Sequence, residues 1–76
     1  MENIVHIGEA IRAEMQRQER TITWLAKHLG VTRATCYRIF DSYSIDTQML
    51  QQISILLHRD FFSIYSEKIK QKMYYI

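Results

Sequence analysis

Residues 21–40 read TITWLAKHLGVTRATCYRIF, and this stretch decides the fold of the chain. Apolar residues recur at helical spacing on both sides of Gly30, which adopts a left-handed backbone conformation at little cost and therefore ends a helix well. Thr21 and Thr32 each precede one of the apolar stripes, where a threonine hydroxyl can accept a hydrogen bond from a free amide of the first turn. The stretch predicts two short helices joined by a glycine turn.

The charges of this helix pair have a single sign. From Arg20 to Phe40 there are four basic residues and no Asp or Glu, whereas the other 55 residues carry six basic and eight acidic groups. The four basic residues are Arg20, Lys27, Arg33 and Arg38. Because the whole chain has a net charge of only +2, the distribution of charge, more than its sum, indicates a polyanionic partner.

The composition favours one all-α domain that spans residues 1–76. A chain of 76 residues is near the lower size at which a hydrophobic core is stable without disulfides or bound metals. It has no Pro and only two glycines, which favours helices with short connections. A single cysteine, Cys36, excludes an internal disulfide and is typical of a reducing compartment. No apolar run approaches the roughly 20 residues of a membrane span, and the N-terminus lacks the pattern of a secretory signal. We therefore expect a cytoplasmic protein without a membrane partner.

Hydrophobic periodicity predicts three further helices around the central pair, which gives a compact bundle of four to five helices. The first runs from Ile4 to about Glu19, with its apolar stripe on one face and a charged face opposite. The fourth is capped by Ser44 or Asp46, and the fifth begins near Asp60 and runs to about residue 72. The apolar stripe of the first helix comprises Ile4, Ile7, Ile11 and Met15, and the charged face comprises Glu9, Arg12, Glu14 and Arg17.

The helix that follows Thr32 has a distinct inner and outer side. At about 100° per residue, Cys36, Ile39 and Phe40 cluster on one side. The opposite side carries Ala34, Arg38 and Asp41, with Thr35 and Tyr37 on the flanks. We therefore expect a short helix that is anchored by three apolar side chains and presents basic and hydroxyl groups outward.

The spacing also meets the requirements of a helix-turn-helix (core residues 21–41), in which the second helix lies in the major groove of DNA. Ala26 allows the two helices to approach closely, and Gly30 follows it by four residues. Apolar side chains that can set the crossing angle are Leu25, Leu29, Val31, Cys36 and Ile39.

Residues 25–39, LAKHLGVTRATCYRI, and residues 44–50, SIDTQML, resemble the Cro and phage-repressor-like helix-turn-helix family of the xenobiotic-response-element (XRE) type. The resemblance covers about residues 7–65. It implies a lambda-repressor-like helical bundle and a bacterial or phage-encoded transcription regulator. We expect this regulator to be a repressor that binds an operator on the nucleoid as a homodimer. Two positions depart from the family pattern. Ile22 replaces a glutamine, and Asp41-Ser42-Tyr43 replaces Glu-Asn-Gly, so we expect a different grip on the phosphates.

The resemblance implies two groups of DNA-binding residues. The third helix would read base edges, since arginine can bind guanine with two hydrogen bonds and small apolar groups suit the thymine methyl. These base-reading residues are Arg33, Ala34, Thr35, Tyr37 and Arg38. Hydroxyl and basic groups around the helix pair would bind phosphates. These phosphate-binding residues are Arg20, Thr21, Thr23, Lys27, Thr32, Ser42 and Tyr43.

Two other functions remain open at this point. An antitoxin would use the same fold to bind both its promoter and a toxin, and a protein–protein adaptor would keep the fold without reading DNA. An enzyme is not expected, because His6, His28 and His58 are dispersed, no spacing is typical of a metal or cofactor site, and Cys36 points inward. Residues 66–76 combine lysines with an apolar end, which indicates self-association, packing back on the core, or an exposed tail.

Overall fold

The structure is a computed structural model that describes residues 4–73. These residues form five helices and contain no β-strand, so the all-α fold class is confirmed. The helices are α1 (Ile7–Arg17), α2 (Ile22–Leu29), α3 (Arg33–Asp41), α4 (Thr47–Leu57) and α5 (Phe62–Met73).

The predicted capping residues bound the central helix pair. The Thr21 hydroxyl accepts a hydrogen bond from the Trp24 amide at 3.0 Å and begins α2, and the Thr32 hydroxyl accepts one from the Thr35 amide at 3.2 Å and begins α3. Gly30 ends α2 with φ of 72°, in the left-handed region where glycine avoids the cost of a Cβ. Of the two residues expected to cap α4, Asp46 does so, through a hydrogen bond of 2.7 Å from the Met49 amide.

The core lies where α1 and α2 pack against α3 and α4. The inward side of α3 is the predicted one, because Cys36, Ile39 and Phe40 are all buried. The remaining buried apolar residues are Ile7, Ile11, Met15, Leu25, Ala26, Leu50, Ile53, Leu57 and Phe61. Three inward side chains from a nine-residue helix hold α3 on the bundle and leave its other side free.

Gly8 allows the first turn of α1 to lie directly against the end of α3. Its amide donates to the Ser42 carbonyl at 3.0 Å, and the neighbouring Ile7 amide donates to the Tyr43 carbonyl at 3.3 Å. A Cβ on Gly8 would stand 2.3 Å from the carbonyl oxygens of Ile39 and Phe40, closer than two such atoms can approach. The exit of α3 is thus hydrogen-bonded to free amides at the start of α1.

The prediction for the limits of α1 was too long at both ends. The helix begins at Ile7 because the His6 ring accepts a hydrogen bond from the Glu9 amide at 3.1 Å and caps it, so Ile4 lies before the helix and is 58% exposed. It ends at Arg17 because Glu19 has a positive φ of 58°, whereas an α-helix requires a negative φ.

Glu14 is not on an exposed face, as the sequence pattern predicted, but is only 4% exposed. Its carboxylate accepts hydrogen bonds from Arg17, Gln18 and Arg59, the last at 3.1 Å. Gln18 also donates to the Leu57 carbonyl at 2.7 Å. The hydrogen bonds from Arg17 and Gln18, supported by Arg59, lower the pKa of Glu14 from its ordinary value of 4.5 to about 2. This buried carboxylate joins the end of α1 to the end of α4.

Helix α5 packs on the core through its first half only. Phe61 precedes the helix and is fully buried, and the partly buried Phe62, Ile64 and Tyr65 pack against the core. Further along, Ile69 and Met73 are 57% and 67% exposed. The end of α5 is thus exposed, self-association of residues 66–76 stays a prediction, and residues 74–76 lie outside the described range. No helix among residues 4–73 is long and apolar enough to cross a membrane.

Candidate nucleic-acid interface

The outward side of α3 gathers the predicted base-reading residues on one surface. Arg33, Ala34, Tyr37 and Arg38 are exposed, and Thr35 is half-buried between them and the core. We call these five residues the α3 face. They share a surface because the buried Cys36, Ile39 and Phe40 fix the rotation of the helix about its axis.

A hydrogen bond along the helix joins two polar side chains of the α3 face, Arg38 and Thr35. An Arg38 guanidinium nitrogen donates to the Thr35 hydroxyl oxygen at 3.0 Å. The same oxygen lies 3.1 Å from the Thr32 hydroxyl. Because a guanidinium has five N–H donors and this bond uses one, Arg38 keeps most of its hydrogen-bonding capacity for another partner. The side chain is therefore oriented along the helix before any ligand arrives.

Tyr37 stands at the edge of the α3 face. Its ring meets Phe40 edge-on, with centroids 6.3 Å apart and planes at 90°, and the residue is 51% exposed. An aromatic pair of this geometry stabilises the position of the ring on the inner side. About half of the residue stays accessible to a ligand.

The predicted phosphate-binding residues divide between caps and exposed side chains of α2. Thr21 and Thr32 use their hydroxyl oxygens to cap helices. The Thr21 hydroxyl hydrogen stays able to donate, whereas the Thr32 hydroxyl lies within hydrogen-bond distance of the Thr35 hydroxyl. Thr23 and Lys27 are exposed on α2. The guanidinium carbon of Arg20 lies 4.4 Å from the centre of the Trp24 ring, a cation–π contact.

The two residues that follow α3 have contacts within the protein. The Ser42 hydroxyl donates to the Arg38 carbonyl at 2.6 Å, so its hydrogen is already in use. Tyr43 is 60% exposed, and its ring packs on His6 with centroids 4.2 Å apart. Tyr43 is thus free to donate its hydroxyl hydrogen, whereas Ser42 has to break a bond to do so.

Acidic groups lie on one side of the α3 face. The sequence pattern placed Asp41 on the outward side of this helix, but it did not predict the approach of Asp46. Helix α3 extends to Asp41, one residue past the acid-free stretch. Asp46, which caps α4, lines a surface depression together with Thr35, Arg38 and Ser42. Asp46 belongs to another helix, so only the packing of α4 beside α3 brings it there.

Arg12 was missed as a candidate binding residue, since the pattern assigned it only to the charged face of α1. It lines a depression with Arg20 and Thr21, and its guanidinium carbon lies 5.6 Å from the centre of the Phe40 ring. No local signal in the sequence could have found this neighbourhood, because it depends on where α1 crosses α3.

Side chains that could serve as a nucleophile or as metal ligands lie outside the α3 face. Cys36 is buried, and burial raises the pKa of its thiol, which disfavours the nucleophilic thiolate. Between residues 4 and 73, no group of three or more His, Cys, Asp or Glu side chains is arranged to hold a metal ion.

No protein-family model, curated protein or solved structure matches this chain. What the chain binds has to be inferred from its own side chains.

Proposed function

We propose that the protein is a sequence-specific DNA-binding transcription regulator, a repressor that occupies an operator through α3. The observation that carries the proposal is the α3 face, which presents Arg33 and Arg38 outward on a helix anchored by three buried side chains. The helix pair has no acidic residue between Arg20 and Phe40. A basic face on a helix that projects from a small bundle, with acidic groups only at its edge, suits the negatively charged major groove.

Base reading is assigned to the outward side chains of α3 between its first residue, Arg33, and Arg38. Arg33 and Arg38 can each form two hydrogen bonds to guanine, and each such pair is worth about 1–3 kcal/mol of discrimination against a wrong base. Ala34 and the Thr35 methyl group can contact thymine methyls. The bond between Arg38 and Thr35 supports this role, because a guanidinium that is already oriented loses less entropy on binding.

Dimer formation belongs to the same proposal. Two copies of a helix-turn-helix bind half-sites that are one DNA turn apart, roughly 34–36 Å. The exposed Ile69 and Met73 on α5 support self-association, since both are apolar side chains left in water. Sedimentation of the operator complex tests this, and a complex with one chain per operator would contradict it.

An antitoxin remains the second candidate, because the exposed apolar side chains of α5 would equally suit a toxin. An adaptor without DNA binding is disfavoured, since protein recognition gives no reason to exclude Asp and Glu from residues 20–40. A pull-down of the tagged chain with the products of neighbouring genes separates an antitoxin from a simple repressor.

The direct test is a titration against mixed-sequence duplex DNA at two salt concentrations. We expect binding at low salt that weakens steeply as salt rises, because phosphate contacts release counterions. Absence of binding at low salt would overturn the proposed function.

A further inference from the structure

A surface depression of about 260 Å³ brings together polar and basic side chains from α1 and from the connection between α1 and α2. Arg12 and Gln16 come from α1, and Arg20 and Thr21 come from the segment that leads into α2. Phe40 of α3 lines the same depression. The depression therefore lies beside the helix pair but draws half of its polar groups from α1.

Both arginines of the depression rest on aromatic rings. The guanidinium carbon of Arg12 lies 5.6 Å from the centre of the Phe40 ring, and that of Arg20 lies 4.4 Å from the centre of the Trp24 ring. A planar guanidinium on a ring face is held by cation–π attraction while the N–H groups at its edge stay free to donate. The two cationic groups are thus partly immobilised before a ligand binds.

No carboxylate competes for these two arginines in the described part of the chain. The ion pairs among residues 4–73 join His6 to Glu9 and Glu14 to Arg17 and Arg59. None of the residues that line the depression is acidic. The depression beside Arg38 differs in this respect, because Asp46 forms part of its wall.

The groups that remain free in the depression are hydrogen-bond donors suited to phosphate oxygens. Arginine forks match the geometry of a phosphate, and charge-assisted bonds of this kind are roughly twice as strong as neutral ones. The Thr21 hydroxyl accepts from the Trp24 amide and keeps its own hydrogen to donate. A phosphate suits these groups, because its oxygens can accept hydrogen bonds from several donors at once.

We infer that this depression binds a phosphodiester of the DNA backbone, with Arg12 and Arg20 as its two cationic ligands. The inference rests on the proposed function and extends it, since it makes α1 a DNA-contacting helix.

The test compares Arg12→Gln and Arg20→Gln with Lys70→Gln, which removes the same charge from an exposed position on α5. The salt dependence of duplex binding is measured for each variant. Loss of one phosphate contact lowers the slope of log K against log salt by about 0.9, and at about 0.1 M salt it weakens binding roughly tenfold. We expect both changes for Arg12→Gln and Arg20→Gln, and the affinity should fall by the same factor for every duplex sequence. Lys70→Gln should keep the wild-type slope. Thermal melts verify that all three variants fold.

A titration with inorganic phosphate, followed by amide NMR shifts of residues 21–24, separates the possible outcomes. If the wild type binds DNA and Arg12→Gln keeps the wild-type slope of log K against log salt, the inference is overturned and the proposed function stands. Failure of the wild type to bind DNA at low salt overturns the proposed function. If phosphate then still shifts these amides in the wild type but not in Arg12→Gln, the depression binds free phosphate and its assignment to DNA is wrong.

Discussion

Individual side chains of the α3 face and α2 have different expected effects on DNA binding. We expect Arg38→Ala to cost about 1–3 kcal/mol and to relax the choice of base, because this side chain is oriented on the reading helix. Lys27→Ala, on the exposed side of α2, should weaken all sequences evenly, since phosphate contacts carry no sequence information. Binding assays against a panel of single-base operator variants measure both. If the two variants lost the same affinity on every duplex, base reading by α3 would be contradicted.

Gly8 and Gly30 are required for different physical reasons, and substitution by alanine distinguishes them. At Gly8 a Cβ would lie 2.3 Å from two backbone oxygens of α3, so we expect Gly8→Ala to lower the free energy of unfolding by about 3 kcal/mol. At Gly30 a Cβ meets no atom within 4 Å, and the cost comes only from its φ of 72°, roughly 1–2 kcal/mol. Urea denaturation measures both values. If Gly8→Ala lowered the free energy of unfolding less than Gly30→Ala, close packing of α1 against α3 at Gly8 would be contradicted.

At the scale of the helices, capping residues decide where each element begins. The Asp46 carboxylate accepts from the Met49 amide at 2.7 Å, so we expect Asp46→Ala to cost about 1 kcal/mol of stability. Asp46→Asn keeps a capping oxygen and removes the charge, and it should change stability by only a few tenths of a kcal/mol. Thermal melting of the two variants tests the cap, and an equal loss in both would indicate that the charge of Asp46, and not its hydrogen bond, stabilises α4.

At the scale of the whole molecule, the buried Glu14 carboxylate makes the stability of the bundle depend on pH. The pKa of Glu14 in the folded chain is about 2, below its ordinary value of 4.5. A lowered pKa means that the ionised group stabilises the fold fully above about pH 4.5, and that this contribution is lost as pH falls toward 2. Arg59 adds a second link, since its guanidinium carbon lies 5.2 Å from the centre of the buried Phe61 ring.

We therefore expect Glu14→Gln to lower the urea midpoint most at pH 7, because it leaves Arg17 and Arg59 without their carboxylate partner. The difference from the wild type should shrink as pH falls from 4.5 toward 2, where the wild-type carboxyl also becomes neutral. Glu67→Gln, at an exposed position of α5, is the matched control and should leave the midpoint at pH 7 unchanged. A difference for Glu14→Gln that stays constant over this pH range would contradict the role given to the carboxylate.

The sequence alone determined the features of this protein that depend on neighbouring residues. Thr21, Gly30 and Thr32 bound their helices through bonds that span a few positions, so the helix pair and the outward face of α3 could be read from residue type and spacing. The inward side of α3 followed from the same periodicity, since Cys36 and Ile39 are three positions apart.

Only the tertiary structure decided which helices meet, and this determined the remaining features. Glu14 is bonded to Arg59, 45 residues away, so a carboxylate that looked solvated by its local pattern is buried. Gly8 is needed because α1 crosses α3, and Arg12 lies beside Arg20 because the same crossing places α1 next to the start of α2. Contacts between distant segments depend on the packing of whole helix faces, which the spacing of residues within one helix does not specify.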